Sequence, residues 1–232
     1  MDEKFSRIEA LIGEKALNKL SGASVLLLGV GGVGGYVFES LVRSGIGKIT
    51  VADGDTVAES NFNRQIIATE SALGKLKAEV AAERARSMNP LVSVTTINEF
   101  LTAESVEKLD FSQFDYVIDA IDTVTTKVAV ARKCIAENVR AISCMGTGNK
   151  LEPQLLRVAR LKDTHDCPLC KAMRRLLREV PGGGDLKVVF SPETPRVRRR
   201  PPASMIFCPA VAGLYIAAEV VKDIAVDENP TV

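Results

Sequence analysis

The sequence predicts an α/β fold: a mostly parallel β-sheet with flanking helices. Apolar runs alternate along the chain with stretches of helical spacing, and a glycine-rich turn joins the first run to the first helix. The 232 residues are 46% apolar, which is enough to bury a sizeable core. We therefore expect one domain over residues 1–232.

Five short apolar runs are the predicted strands of this sheet. Because helices separate them, each connection should be a crossover, and the strands should run parallel. The predicted strands are Val25–Leu28, Lys48–Ala52, Ser93–Ile97, Tyr116–Asp119 and Arg140–Cys144. The predicted helices are Val33–Val42, Lys75–Met88, Thr125–Asn138 and Val211–Val221.

The composition changes near Leu161, where prolines, glycines and basic residues accumulate. Residues 171–200 hold nine Lys or Arg and three Asp or Glu, a net charge of about +6. We predict that residues 162–202 form a mobile basic lid within the single domain. Its surface would either be merely solvated or contact the phosphates of a nucleic acid.

The charge of the whole chain is nearly balanced, with 30 Lys plus Arg against 29 Asp plus Glu. This balance is unlike that of a polycationic or an acidic disordered tail. The most apolar long stretch, residues 210–221, is shorter than the roughly 20 residues of a membrane span, and the first residues are charged. We expect a cytoplasmic protein without a membrane span or a secretory signal.

A glycine-rich turn between the first strand and the first helix is the strongest single motif. Its glycines allow a tight turn and a close approach of the backbone to a phosphate at the helix N-terminus. Asp53 ends the second strand, 19 residues beyond Gly34, where a carboxylate can accept hydrogen bonds from ribose hydroxyls. The predicted nucleotide-binding glycines are Gly29, Gly31, Gly32 and Gly34.

Charged and amide side chains next to this turn indicate which nucleotide binds. Asn61, Asn63 and Arg64 come soon after the second strand, and Lys77 stands near the start of the next helix. Asp122 follows the fourth strand at the same edge of the sheet. Cations and a carboxylate suit a triphosphate with Mg²⁺ better than a nicotinamide. A redox protein or sensor that binds NAD is the alternative.

These motifs resemble those of the ubiquitin-activating-enzyme-like adenylyltransferases, which include ThiF, MoeB and HesA. Within that superfamily the sequence is most similar to the tRNA threonylcarbamoyladenosine dehydratases, the TcdA/CsdL group. The superfamily motifs are G-x-G-G-V-G at 29–34, D-x-D at 53–55, N-x-x-R-Q at 61–65, G-x-x-K at 74–77 and D-A-x-D-T at 119–123. The subgroup motifs include R-S-G-x-G at 43–47, S-x-M-G at 143–146, K-V-V-F-S at 187–191 and P-x-V-A-G-L at 209–214.

The resemblance implies a Rossmann-like domain that dimerises and binds ATP and Mg²⁺. ATP would lie against the glycine-rich turn and Asp53, and Asp122 would hold the metal. Arg7 is the candidate for an arginine that the partner subunit supplies. The implied catalytic residues are Arg7, Arg64, Lys77 and Asp122. Besides the glycines, the implied nucleotide-binding residues are Asp53, Asn61, Asn63, Arg64, Lys77, Asp122 and Thr123.

The resemblance also implies a reaction and partners. The reaction would be ATP-dependent cyclisation, with loss of water, of threonylcarbamoyladenosine in tRNA through a carboxyl-adenylate. The alternative is adenylation of the C-terminal glycine of a ubiquitin-like sulfur carrier protein. A monovalent cation, Na⁺ or K⁺, is associated with the dehydratase group, and a sulfurtransferase is a further candidate partner.

Five cysteines and one histidine complete the set of reactive side chains. Cys167 and Cys170 form one Cys-x-x-Cys pair close to His165, whereas MoeB-like relatives carry two such pairs. The pair is open to three interpretations: half of a zinc site, a redox or acyl-accepting thiol, or ordinary residues of the lid. We expect Cys134 and Cys144 to be buried packing residues.

Overall fold

The computed structural model describes residues 3–195, 197, 199 and 201–225, and these residues contain one seven-stranded sheet. The strand order is β3-β2-β1-β4-β5-β7-β6. Neighbouring strands are parallel except β6 and β7, which are antiparallel. The strands are β1 (Ser24–Leu28), β2 (Lys48–Ala52), β3 (Ser93–Ile97), β4 (Tyr116–Asp119), β5 (Ala141–Cys144), β6 (Arg157–Arg160) and β7 (Lys187–Phe190).

Helices cover both faces of the sheet, and β1 shows how the core is divided. Val25 and Leu27 belong to the apolar cluster that includes α3 and α8, whereas Leu26 and Leu28 belong to the cluster that includes α5 and α6. Successive side chains of a strand point to opposite faces, so a strand buried on both sides is apolar throughout. The helices are α1 (Ser6–Ile12), α2 (Glu14–Gly22), α3 (Gly34–Arg43), α4 (Lys77–Met88), α5 (Ala103–Lys108), α6 (Val124–Ala136), α7 (Pro168–Leu176) and α8 (Phe207–Ala225).

The predicted α/β fold class is confirmed, and all five predicted strands are present. The four predicted helices correspond to α3, α4, α6 and α8. The last helix is longer than predicted and begins at Phe207 instead of Val211. None of the helices among the described residues is both long and apolar enough to cross a membrane.

The prediction that residues 162–202 form a mobile lid requires a correction, because part of this segment lies within the sheet. Within them, β7 lies between β5 and β6, with Val188, Val189 and Phe190 buried. The strand β7 hydrogen-bonds to β5 on one side and to β6 on the other, so it cannot move as part of a lid without breaking the sheet. The remainder contains α7 and the loops around it.

Candidate nucleotide site

The carboxyl ends of β1, β2 and β4 meet at one edge of the sheet, which we call the carboxyl edge. Leu28 pairs with Ala52 on one side and with Asp119 on the other. The chain runs from β1 outwards to β3 and then returns to β4, so the strand order reverses between β1 and β4. Open α/β sheets bind ligands at such a switch point.

Residues 29–34, the glycine turn, leave β1 at this point and lead into α3. Gly29 has a φ of +88°, and a Cβ at Gly34 would lie 1.9 Å from the Gly29 carbonyl oxygen. A Cβ at Gly29 would lie 2.9 Å from the Ala120 carbonyl oxygen. Side chains at these two positions would therefore prevent the turn from closing on β4. The N-terminus of α3 then faces the carboxyl edge, where it can bind an anion.

Asp53 lies directly beside the glycine turn, as the sequence predicts. Its Oδ2 atom accepts a 2.8 Å hydrogen bond from the Val30 N–H, and its Oδ1 atom accepts one of 2.9 Å from the Asp55 N–H. A carboxylate has about four acceptor sites, so two remain for ribose hydroxyls. The backbone fixes this carboxylate in place before any ligand binds.

Arg64 lies against the other side of the glycine turn. A Cβ at Gly32 would be 3.5 Å from both the Arg64 Cγ and the Pro209 Cβ. The Arg64 Nη1 atom donates to the Asn63 Oδ1 atom at 2.8 Å, and the Asn63 Nδ2 atom donates to the Ser204 carbonyl oxygen at 2.8 Å. Asn63 therefore orients the guanidinium, which retains further donors for phosphate oxygens.

Two amide side chains near Arg64 have different roles. The Oδ1 atom of the buried Asn61 accepts a hydrogen bond from the Ala58 N–H at 3.2 Å. This oxygen therefore stabilises the local turn. Gln65 is also buried. Among the buried side-chain nitrogen and oxygen atoms of the described residues, its Oε1 atom is the one that has no hydrogen-bond partner. Its Nε2 atom would be 3.7 Å from a Cβ on Gly31. Gln65 therefore faces the glycine turn with an acceptor that a bound ligand can satisfy.

Lys77 starts α4, but its ammonium group is already paired. The side chain is buried, and its Nζ atom lies 2.7 Å from the Oδ2 atom of Asp55. Asp55 belongs to the D-x-D motif but is not among the predicted site residues. An ammonium group has three donors, so Lys77 can bind a phosphate while it remains paired with Asp55.

Asp122 is exposed in the turn between β4 and α6. The Thr123 hydroxyl lies 3.4 Å from its Oδ1 atom. Within the described residues, no group of three or more His, Cys, Asp or Glu side chains could hold a metal ion. A single exposed carboxylate suits Mg²⁺, which takes its other ligands from phosphate oxygens and water.

A buried polar cluster holds the turn that carries Asp122. The Nζ atom of the fully buried Lys127 lies 2.9 Å from the Asp119 Oδ2 atom and 3.0 Å from the Ile121 carbonyl oxygen. The Ser143 hydroxyl donates to the same Asp119 oxygen at 2.6 Å. These bonds fix the backbone on either side of Ile121, so the position of Asp122 is set by contacts inside the protein. Lys127 is not among the predicted site residues.

Arg7 is the one predicted catalytic residue that lies far from this edge within the same chain. It is exposed on α1, and the neighbouring Phe5 lies 3.5 Å from where a Cβ on Gly45 would be. Gly45 precedes β2, so this contact is at the amino ends of the strands, opposite the glycine turn. The structure therefore brings together Asp53, Asn61, Asn63, Arg64, Lys77, Asp122 and Thr123 with the glycines, but not Arg7.

The structure also shows where the cysteines and part of the basic segment lie. Cys134 and Cys144 are buried as predicted, and burial raises the pKa of each to about 12. Cys167 and Cys170 are buried and free, and no third zinc ligand accompanies them among the described residues. Arg196, Arg198 and Arg200 lie outside the described residues, and Arg199 is exposed.

Comparison with solved structures identifies similar molecules. E. coli tRNA N6-threonylcarbamoyladenosine dehydratase, TcdA, in complex with ATP has 33% sequence identity and a TM-score of 0.89, over 96% of this chain and 93% of that chain. The same E. coli protein in complex with AMP has the same identity and TM-score. Nucleotides therefore bind to proteins that share this fold.

Sequence comparison extends the likeness over nearly the whole chain. The tRNA threonylcarbamoyladenosine dehydratase of Bacillus subtilis is 36% identical over 245 aligned residues, which cover 98% of this chain and 96% of the relative. The ThiF family model matches residues 5–231. The chain belongs to the ThiF family.

Proposed function

We propose that the protein cyclises threonylcarbamoyladenosine in tRNA, using ATP to activate the carboxylate of the modified nucleoside. The observation that carries the proposal is the convergence of the glycine turn, Asp53, Arg64 and Asp122 at one edge of the sheet. Similarity to a dehydratase over nearly the full length of both chains supports this choice of substrate.

The chemistry requires activation because a carboxylate has no good leaving group. Transfer of the adenylyl group from ATP to the threonine carboxylate releases pyrophosphate and makes AMP the leaving group. A nucleophile in the same modified side chain then attacks the acyl carbon, AMP leaves, and a ring closes. The net change in the nucleoside is the loss of one water molecule, and ATP is converted to AMP and pyrophosphate.

The residues at the carboxyl edge contribute positioning and charge. Asp53 would bind the ribose, while the glycine turn, Arg64 and Lys77 would bind the phosphates. Asp122 would hold Mg²⁺ together with phosphate oxygens, and the ion supplies further neutralisation of phosphate charge. None of these functions requires a histidine, and the chain has only one.

We propose that two copies of the chain form a homodimer and that Arg7 completes the site of the partner subunit. A row of exposed apolar side chains supports an interface on α8, because these residues recur at helical spacing on one side. Sedimentation of the purified protein should give twice the monomer mass. The exposed residues of this row are Phe207, Leu214 and Tyr215.

The tRNA substrate would meet a basic surface on and near α7. Lys171, Arg175 and Arg178 are exposed there and can contact phosphates. A cytoplasmic location follows from this substrate and agrees with the free cysteines. A sulfurtransferase partner and a monovalent cation, Na⁺ or K⁺, belong to this proposal as well.

The decisive experiment follows the modified nucleoside in tRNA. Purified enzyme is incubated with threonylcarbamoyladenosine-containing tRNA, ATP and Mg²⁺, and the digested nucleosides are measured by mass spectrometry. We expect loss of one water from the modified nucleoside, and no change when ATP or Mg²⁺ is omitted. Unchanged nucleoside, with pyrophosphate exchange that depends on a ubiquitin-like carrier protein, would instead establish the alternative adenylyltransferase.

A further inference from the structure

Cys167 and Cys170 form a pair of buried thiols that the proposed reaction does not use. Cys167 is the residue directly before α7, and Cys170 lies in the first turn of that helix. Their exposed fractions are 4% and 0%. Both belong to one apolar cluster, which α7 shares with β7, so the two side chains approach each other inside the protein.

The backbone already has a geometry that permits a bond between the two sulfurs. The Lys171 N–H donates to the Cys167 carbonyl oxygen at 3.0 Å, so the helical turn between the cysteines is formed. Residues three apart in a helix share a face, with Cα atoms about 5 Å apart. This separation lies within the range of roughly 4.4–6.8 Å seen in disulfides. Closure therefore requires rotation of side chains and little movement of the backbone.

The environment makes the two thiols chemically unequal. The Cys167 sulfur faces the Cys170 thiol and the N–H groups of Cys170 and Gly146, and the Lys150 ammonium is nearby. These neighbours lower the pKa of Cys167, with the Cys170 thiol as the largest cause, whereas the same contact raises the pKa of Cys170. Cys167 is therefore the cysteine of the pair that loses its proton first. A thiolate is the form that attacks disulfides.

The remaining cysteines provide a contrast within the same molecule. Burial raises the pKa of Cys134, Cys144 and Cys208, so these three are thiols at neutral pH. They are packing residues, and oxidation should leave them unchanged. The unusual chemistry is confined to the start of α7.

We propose that Cys167 and Cys170 are a redox-active dithiol that closes reversibly into a disulfide when a low-molecular-weight disulfide is the oxidant. The Cys167 thiolate attacks the oxidant, forms a mixed disulfide and releases one thiolate. Cys170 then gives up its proton to the solvent and attacks the Cys167 sulfur, which expels the second thiolate. Two thiols of the protein are oxidised, and one external disulfide is reduced to two thiols.

The test uses oxidised and reduced glutathione in graded ratios under anaerobic conditions. After equilibration the protein is denatured in acid, the free thiols are alkylated, and peptides are measured by mass spectrometry. We expect Cys167 and Cys170 to lose alkylation together and the peptide that contains both to lose two hydrogens. Dithiothreitol should reverse the change. Alkylation of both cysteines at every ratio would overturn the proposal, as would a disulfide between Cys167 and Cys144.

Single variants separate the two steps. Cys170→Ser should stop at a mixed disulfide between Cys167 and glutathione, whereas Cys167→Ser should leave Cys170 reduced. Cys134→Ser removes an ordinary buried thiol and is the matched control, so its Cys167–Cys170 pair should oxidise as in the wild type. Oxidation of Cys170 in the Cys167→Ser variant would contradict the assignment of the attacking thiolate. These measurements require neither ATP nor tRNA, so their failure and failure of the proposed cyclisation are distinguishable.

Discussion

Arg64 and Asp122 carry opposite charges at the carboxyl edge, and their side chains hydrogen-bond to residues within four positions along the chain. Arg64 is bound by Asn63 and a neighbouring carbonyl oxygen, and Asp122 is exposed in a turn that Lys127 fixes from inside. Their side chains are therefore available to a ligand. Substitutions at these positions separate function from folding.

Replacing either Arg64 or Asp122 with alanine should lower the adenylation rate at least about tenfold, because each change removes charge stabilisation at the triphosphate or the metal. The rate of pyrophosphate release measures the effect, and the melting temperature should stay close to that of the wild type. Arg86→Ala, on the last turn of α4, is a control with the same charge change as Arg64→Ala. Wild-type turnover in the Arg64 and Asp122 variants would show that the site is misplaced.

The Cys167 thiolate predicts a pH-dependent contribution to stability. Its pKa is lower in the folded protein than the value of about 8.5 in an unfolded chain. A lowered pKa stabilises the fold above the unfolded value, and this stabilisation is lost as the pH falls through the folded pKa. Cys167→Ser should therefore reduce the free energy of unfolding more at pH 8 than at pH 5. Urea titrations at the two pH values measure the difference, and the cost of Cys134→Ser should be the same at both.

At the level of elements, the glycine turn depends on close contact between two segments of backbone. Gly34→Ala would place a Cβ 1.9 Å from the Gly29 carbonyl oxygen, so the turn must open or α3 must shift. We expect a lower melting temperature and loss of ATP binding in calorimetric titration. Gly22→Ala, at the exposed end of α2 with nothing within 4 Å, should bind ATP normally. Equal ATP affinity in both variants would contradict the role of the turn.

The pair formed by Lys127 and Asp119 links β4 to α6 through charges buried in the core. Lys127→Met should lower the free energy of unfolding by about 3–5 kcal/mol, because it leaves a buried carboxylate without its cation. Adding Asp119→Asn removes that charge and should recover part of the loss. Chemical denaturation of the single and double variants tests this coupling. If the two costs simply add, the ion pair is not the reason for the destabilisation.

The sequence predicts most elements but misses those whose character depends on neighbours. The four-residue strand β6 exposes Arg157 and Arg160 at the edge of the sheet, so its sequence lacks an apolar run. The equally short β7 stands in a segment rich in glycine, proline and arginine. Asp53, Arg64 and Asp122 were predictable as site residues from motifs. Asp55 and Gln65 belong to the same motifs, but their contacts, like those of Lys127, emerge only in the tertiary structure.

For the whole molecule, each active site of the proposed homodimer would combine Arg7 of one chain with the glycine turn of the other, because the two lie at opposite ends of the strands within one chain. Chains with Arg7→Ala and chains with Asp122→Ala should each be inactive alone. In a mixed dimer, one site would combine the intact Asp122 of the first chain with the intact Arg7 of the second. Random reassociation of an equal mixture should therefore restore about a quarter of the wild-type activity, since half of the dimers are mixed.

The measurement is the tRNA cyclisation assay after the two variants are unfolded together and refolded. In the control, the two variants are refolded separately and are combined only in the assay. Restored activity in the co-refolded sample alone would support the shared site. Full activity of Arg7→Ala by itself would exclude any contribution from this residue.

The position of β7 has a consequence for how the polypeptide acquires its shape during synthesis. Among the described residues it is the last strand to leave the ribosome, yet it fills an interior place between β5 and β6. Until it emerges, β5 has an unpaired edge and β6 has no partner in the sheet, so nascent chains expose strands that can aggregate. Translational arrest before residue 187 should therefore leave a protease-sensitive intermediate, and chains long enough to include β7 should be less sensitive.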